Sequence, residues 1–118
     1  MLFRSAIADA RVRQALGGEE AFRKGEAALR RMQLEDAVLA FQQAVELGPD
    51  EADHHAMLGW SLYVAAPDKP LALAPARQHL KRAMELNPTG ALPLILLGRI
   101  VRMEGDAATA IKIGRAHV

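Results

Sequence analysis

The stretch GEAALRRMQLEDAVLAFQQAVELGP, residues 25–49, sets small and bulky residues at fixed steps: Gly25, then Ala37, Phe41, Ala44 and Pro49, at intervals of 12, 4, 3 and 5. Residues 59–88, GWSLYVAAPDKPLALAPARQHLKRAMELNP, carry the same order: Gly59, Ala76, Leu80, Ala83 and Pro88, at 17, 4, 3 and 5. A third glycine, Gly98, is followed by Ala110, again 12 on. The glycines are 34 and 39 residues apart, and the difference is the five extra residues between Gly59 and Ala76. A period near 34 with small residues at fixed places predicts stacked helical hairpins.

The physical reason lies in helix geometry. Residues three and four apart share a helix face, so Ala37, Phe41, Ala44 and Val45 form one stripe and Ala76, Leu80, Ala83 and Met84 another. Alanine at a crossing lets two helix axes approach to about 8 Å. A single hairpin cannot bury its own apolar face, so neighbours must stack. Leu47-Gly48-Pro49 and Leu86-Asn87-Pro88 read as helix stops, with Gly or Asn just past the last turn.

These residues resemble the tetratricopeptide (TPR) repeat. The first unit has Gly25, Ala28, Ala37, Phe41, Ala44 and Pro49; the second has Leu58-Gly59, Leu62, Ala76, Leu80, Ala83 and Pro88; the third has Leu97-Gly98, Val101 and Ala110, with Gly105-Asp106 at the turn. Departures are Ala21, His55 and Leu94 where the family often has Trp, and Lys24 where it often has Leu. The resemblance covers roughly Gly18 to Lys112. It implies an all-α fold, a right-handed superhelical stack of antiparallel hairpins with about two and a half repeats. The second unit is also similar to TPR segments that follow J-domains or regulatory domains in bacterial multidomain proteins.

Seven helices or parts of helices are expected: Ala6 to Leu16, ended by Gly17-Gly18; Glu19 to Arg31; Glu35 to Leu47; Glu51 to Ala65; about Leu71 to Leu86; Ala91 to Glu104; and Ala107 onward. Residues 1–18 then form a lead-in helix and linker, and residues 19–112 the repeat domain. Asp50, Asn87 and Thr89 stand near helix starts, where short polar side chains cap free amides. The insertion Ala66-Pro67-Asp68-Lys69-Pro70 reads as a stiff turn. Pro75 is tolerated close to a helix start and kinks a helix begun at Leu71.

The two ends read as foreign. Ile113-Gly114-Arg115-Ala116-His117-Val118 is one frame of a common sequencing adapter, and Met1-Leu2-Phe3-Arg4-Ser5 matches its reverse complement. The expectation is that residues 1–5 and 113–118 are adapter artefacts flanking a gene fragment. Lys and Arg number 15 and Asp and Glu 14; setting aside Arg4 and Arg115 leaves 13 against 14, a formal −1. The slightly basic balance is therefore no argument for nucleic acid, and no basic stripe is present. Half the residues are hydrophobic and only 4% aromatic, which suits an alanine- and leucine-rich helical stack. No apolar run approaches the roughly 18 needed to span a bilayer. With no cysteine there is neither a disulfide framework nor a thiolate metal site. A cytoplasmic setting is the default expectation.

No catalytic constellation emerges. The serines are Ser5 and Ser61, the latter among apolar neighbours at helical spacing, and no nucleophile-elbow, zinc-helix or phosphate-loop motif occurs. His54 and His55 are adjacent, so they diverge by about 100° on a helix and do not converge on one metal. Glu19, Glu20, Glu35, Asp36, Asp50, Glu51 and Asp53 sit in or just before expected first turns, where acids favour the helix dipole. No metal and no cofactor is expected, and the chain reads as non-enzymatic.

The TPR resemblance implies a groove lined by the first helix of each hairpin. Matched by spacing from the glycines, it holds Phe22, Glu26, Leu29 and Arg30; then Asp53, Ala56, Met57, Trp60 and Tyr63; then Leu92, Ile95, Leu96, Arg99, Arg102 and Met103. Trp60 and Tyr63, the only Trp and Tyr, stand three apart on one helix face and with Arg99 and Arg102 suit a hydrophobic or acidic peptide anchor. The alternative is that the aromatic pair packs against neighbouring helices. Chaperone C-termini are held in this family by Lys, Asn and Arg; the matching positions here are Phe22, Glu26, Met57, Leu92 and Leu96, which cannot clamp a carboxylate. The expected partner is a protein or peptide of another kind, with no nucleic acid and no membrane. The alternative role is a spacer or self-association element of a larger protein. A cut-off third hairpin would leave an apolar face through which the fragment could dimerise, as a consequence of truncation.

Overall fold

The computed structural model describes the backbone of residues 2–116 and the side chains of residues 5–107. It contains five α-helices and, among the described residues, no strand: α1 (Leu2–Arg30), α2 (Leu34–Leu47), α3 (Ala52–Ala65), α4 (Lys69–Leu86) and α5 (Leu92–Ala116). The helices α1 and α2 form one antiparallel hairpin and α3 and α4 a second; α2 packs on α3, and α5 lies against α3 and α4. None of the helices is long and apolar enough to cross a membrane, among the described residues.

The alanine stripes build the core as their spacing requires. Ala37, Phe41 and Ala44 on α2, and Ala76, Leu80 and Ala83 on α4, are all fully buried. One cluster joins Ala28, Ala37, Phe41 and Leu58; the other joins Ala56, Tyr63, Ala76, Leu80, Ala83, Leu96 and Ile100. Met57 packs against both, so the two hairpins share side chains rather than merely touching. The turn between α1 and α2 is Arg31-Met32-Gln33, with Met32 at φ 59°, the left-handed conformation that ends many helices.

Several expectations are corrected. Gly17 and Gly18 do not end a lead-in helix: α1 runs through them, and no described glycine has positive φ. Their role is close approach. A methyl on Gly17 would lie 3.3 Å from Leu47 Cδ1, and one on Gly18 3.4 Å from Leu47 Cβ. Glu19 and Glu20 therefore sit mid-helix and face Arg23 and Lys24 at 3.7 and 3.6 Å, as exposed pairs one turn apart.

The Pro-flanked insertion is mostly helix. The linkers 31–33 and 66–68 are equally long, and α4 begins at Lys69 rather than Leu71 and runs through Pro75. Asp68 caps it, accepting from Leu71 N at 3.2 Å, with Pro70 in the first turn where a missing N–H removes no helical bond. Lys69 Nζ donates to Val64 O at 2.9 Å and Ala66 O at 2.6 Å, satisfying carbonyls at the end of α3. Asp50 caps nothing; Glu51 holds the N-cap position of α3 without a side-chain bond. Asn87 ends α4 rather than starting a helix, and Thr89 Oγ1 donates to Asn87 Oδ1 at 3.2 Å.

The third hairpin is not formed. The helix α5 continues through Gly105 and Asp106, so the segment from Ala107 prolongs α5 instead of turning back. The adapter reading of both ends falls largely on Met1–Arg4 and Ile113–Val118, whose side chains lie outside the described residues.

Candidate functional site

The second half of α1 and the helices α3 and α5 carry the candidate groove residues, most of them partly open or exposed. On α1 these are Phe22, Glu26 and Leu29, half-buried, and Arg30, exposed. On α3 they are Met57 and Trp60, both half-buried. On α5 they are Ile95, Arg99, Arg102 and Met103, all exposed. Ring contacts link these helices. Phe22 packs edge-on against Phe41 at 5.5 Å between ring centroids and stacks on His54 at 5.2 Å, tying α1 to both α2 and α3. The Arg99 guanidinium lies 5.8 Å from the Trp60 ring centroid, tying α5 to α3 through a cation–π contact.

Tyr63 does not belong to this surface. It is 1% exposed, sits in the larger core cluster, and its hydroxyl donates to Glu104 Oε1. Three residues on a helix rotate by about 300°, and α5 covers the side of α3 to which Tyr63 points. Burial, then the Glu104 hydrogen bond, then the Glu104 charge push the phenol up from 10.0 to about 12. Ala56 and Leu96 are buried too, while Leu92 is half-buried and Asp53 exposed. Glu104 was missed as a partner of Tyr63 because it lies 41 residues away and no local pattern links them.

The histidines brace the turn between the hairpins. His54 Nδ1 donates to Ala44 O at 2.9 Å, near Gly48 O at 3.2 Å, and His55 Nε2 donates to Pro49 O at 2.8 Å. His55 stacks on His79 at 5.9 Å; burial and then the neighbouring His55 hold His79 below its ordinary value. Ser61 donates to Leu58 O within its own helix and is fully buried. Among the described residues no group of three His, Cys, Asp or Glu is placed to hold a metal.

The candidate residues thus comprise five partly open or exposed apolar side chains, Phe22, Leu29, Met57, Trp60 and Ile95, with one acid, Glu26, and three arginines, Arg30, Arg99 and Arg102. No protein-family model matches the chain, and no curated protein and no solved structure matches it either.

Proposed function

We propose that this chain is a non-enzymatic protein-interaction module of the TPR type, whose right-handed hairpin stack docks a peptide or helix along α1, α3 and α5. The observation that carries the reading is the half-open Trp60 under the exposed Arg99. Tryptophan and arginine are the residues most often found as interface anchors, and a partly buried ring is held in place at little further entropic cost. Apolar side chains together with Arg30, Arg99 and Arg102 favour a ligand with an apolar anchor and acidic flanks. Phe22, Glu26, Met57, Leu92 and Leu96 offer no cationic clamp, so the acidic chaperone terminus is not the ligand. Tyr63 acts from beneath, as support for α3. The resemblance of the second unit to bacterial multidomain proteins supports a cytoplasmic setting within a longer chain.

The test is a peptide library panned against the protein, followed by titration of the enriched peptide into wild type, Trp60→Ala and Arg99→Glu. The expected result is a loss of roughly thirtyfold for Trp60→Ala, the effect of an anchor worth about 2 kcal/mol, and weaker binding by Arg99→Glu. Unchanged affinity in both, with helicity intact by circular dichroism, would remove the groove.

A further inference from the structure

Of the three glycines of the repeat, Gly25 and Gly59 are occupied seats and Gly98, among the described residues, is an open one. A methyl built on Gly25 would lie 2.6 Å from the Phe41 ring; one on Gly59 would lie 2.8 Å from Ala76 O and 3.4 Å from Leu80 Cγ. One on Gly98 meets nothing within 4 Å among the described residues. The helices filling the first two seats share one spacing, Ala37, Phe41, Ala44 on α2 and Ala76, Leu80, Ala83 on α4. Beside Gly98, on the same face of α5, Leu94 and Val101 are 60% and 53% exposed. The vacant seat is therefore apolar and open.

That spacing occurs a third time. Ala8, Val12 and Ala15 stand four and three apart on α1, and Leu16 follows as Val45 and Met84 follow in the other two. No other stretch of the 118 residues has alanine, a larger apolar residue four on and alanine three further. Residues 5–16 are all exposed, because α2 ends at Leu47, opposite Gly17 and Gly18, and α1 overhangs the hairpin beyond that point. An overhang of about 18 Å with an apolar stripe is marginal as a solitary helix in water, and Val12 is 57% exposed on it.

We infer that the Gly98 face of one copy receives residues 5–16 of α1 from a second copy, so that the protein associates head to tail. The contact repeats within an assembly what α2 does on α1 and α4 does on α3. Antiparallel docking of Val12 over Gly98 also brings Asp9, one turn before Val12, to the level of Arg102, one turn past Gly98. Each contact joins two different surfaces, so the two ends of any pair remain competent to add a further copy. The face used, Leu94, Gly98 and Val101, is turned away from Ile95 and Arg99, and Arg102 alone borders both, so the inference does not rest on the proposed ligand.

Sedimentation velocity of the full chain over a wide concentration range tests it, with Gly98→Leu filling the seat and Val12→Glu spoiling the insert. Both substitutions fall on exposed helix surface, and Val101→Glu provides a second block of the seat. The expected result is that wild type gains mass with concentration, while each variant alone stays monomeric. An equimolar mixture of Gly98→Leu and Val12→Glu then recovers association and stops at one heterodimer, since one chain keeps its insert and the other its seat. A wild type that stays monomeric, a variant that still self-associates, or a mixture that remains two monomers would overturn the inference.

Discussion

Gly59 and Ala76 meet at backbone distance: a methyl on the glycine would sit 2.8 Å from the alanine's carbonyl oxygen. A backbone atom cannot rotate away as a side chain can, so α3 and α4 cross at a place where only glycine fits. Gly25 holds the equivalent place on α1, with the Phe41 ring as its cover. The repeat seen in the sequence is thus a repeat of helix crossings.

The insertion between the second pair of helices is structural, and its two polar residues carry weight. Asp68→Ala removes the cap on α4 and is expected to cost about 0.5–2 kcal/mol. Lys69→Met leaves Val64 O and Ala66 O without their donor and is expected to cost about 1–3 kcal/mol. Urea denaturation of each variant measures both. No loss in either would mean that the helix start is held by packing alone.

Tyr63 makes the fold sensitive to alkali. The folded phenol is pushed up to about 12, against 10.0 for the free group. The unfolded chain therefore releases this proton first, so stability is full below pH 10 and falls as pH rises from 10 to about 12. The tyrosine is the only one in the chain, so tyrosinate absorbance follows it directly. Replacing Glu104 with Gln is expected to move the titration partway down, leaving the part due to burial. A Tyr63 titration at 10 in wild type contradicts this packing.

At the other end of the scale, His79 is held below its ordinary value of 6.5 by burial and by His55. Here the unfolded state binds the proton more readily, so stability is full above pH 6.5 and declines as pH falls below it. His79→Gln is expected to flatten that decline, read from chemical denaturation midpoints at successive pH values. An unchanged pH dependence would place the ring in solvent.

Much of the fold was legible because short-range spacing encodes it. Helices expected at Glu35 to Leu47 and Glu51 to Ala65 are found at Leu34–Leu47 and Ala52–Ala65, and the six stripe residues from Ala37 to Ala83 are fully buried. What failed is instructive about glycine. Gly17-Gly18 and Gly105-Asp106 read as breaks, yet both lie inside helices; at Gly17-Gly18 glycine serves the close approach of Leu47 rather than a turn. Asp68 followed by Pro70 was a readable start for α4, a cap with proline in the first turn, obscured by reading both prolines as loop. Of the candidate site residues, the structure brings Trp60 and Arg99 together and buries Tyr63, whose covering by α5 arrives from far along the chain.

The glycine seats offer the sharpest single measurement. Unfolding free energies of Gly25→Ala, Gly59→Ala and Gly98→Ala are compared by urea denaturation, at a protein concentration where the chain is monomeric. Occupied seats should lose about 1–3 kcal/mol to overpacking, whereas Gly98→Ala should gain up to about 1 kcal/mol from helix propensity. Three glycines responding alike would contradict the account, because the hairpin crossings would then not be where the repeat puts them.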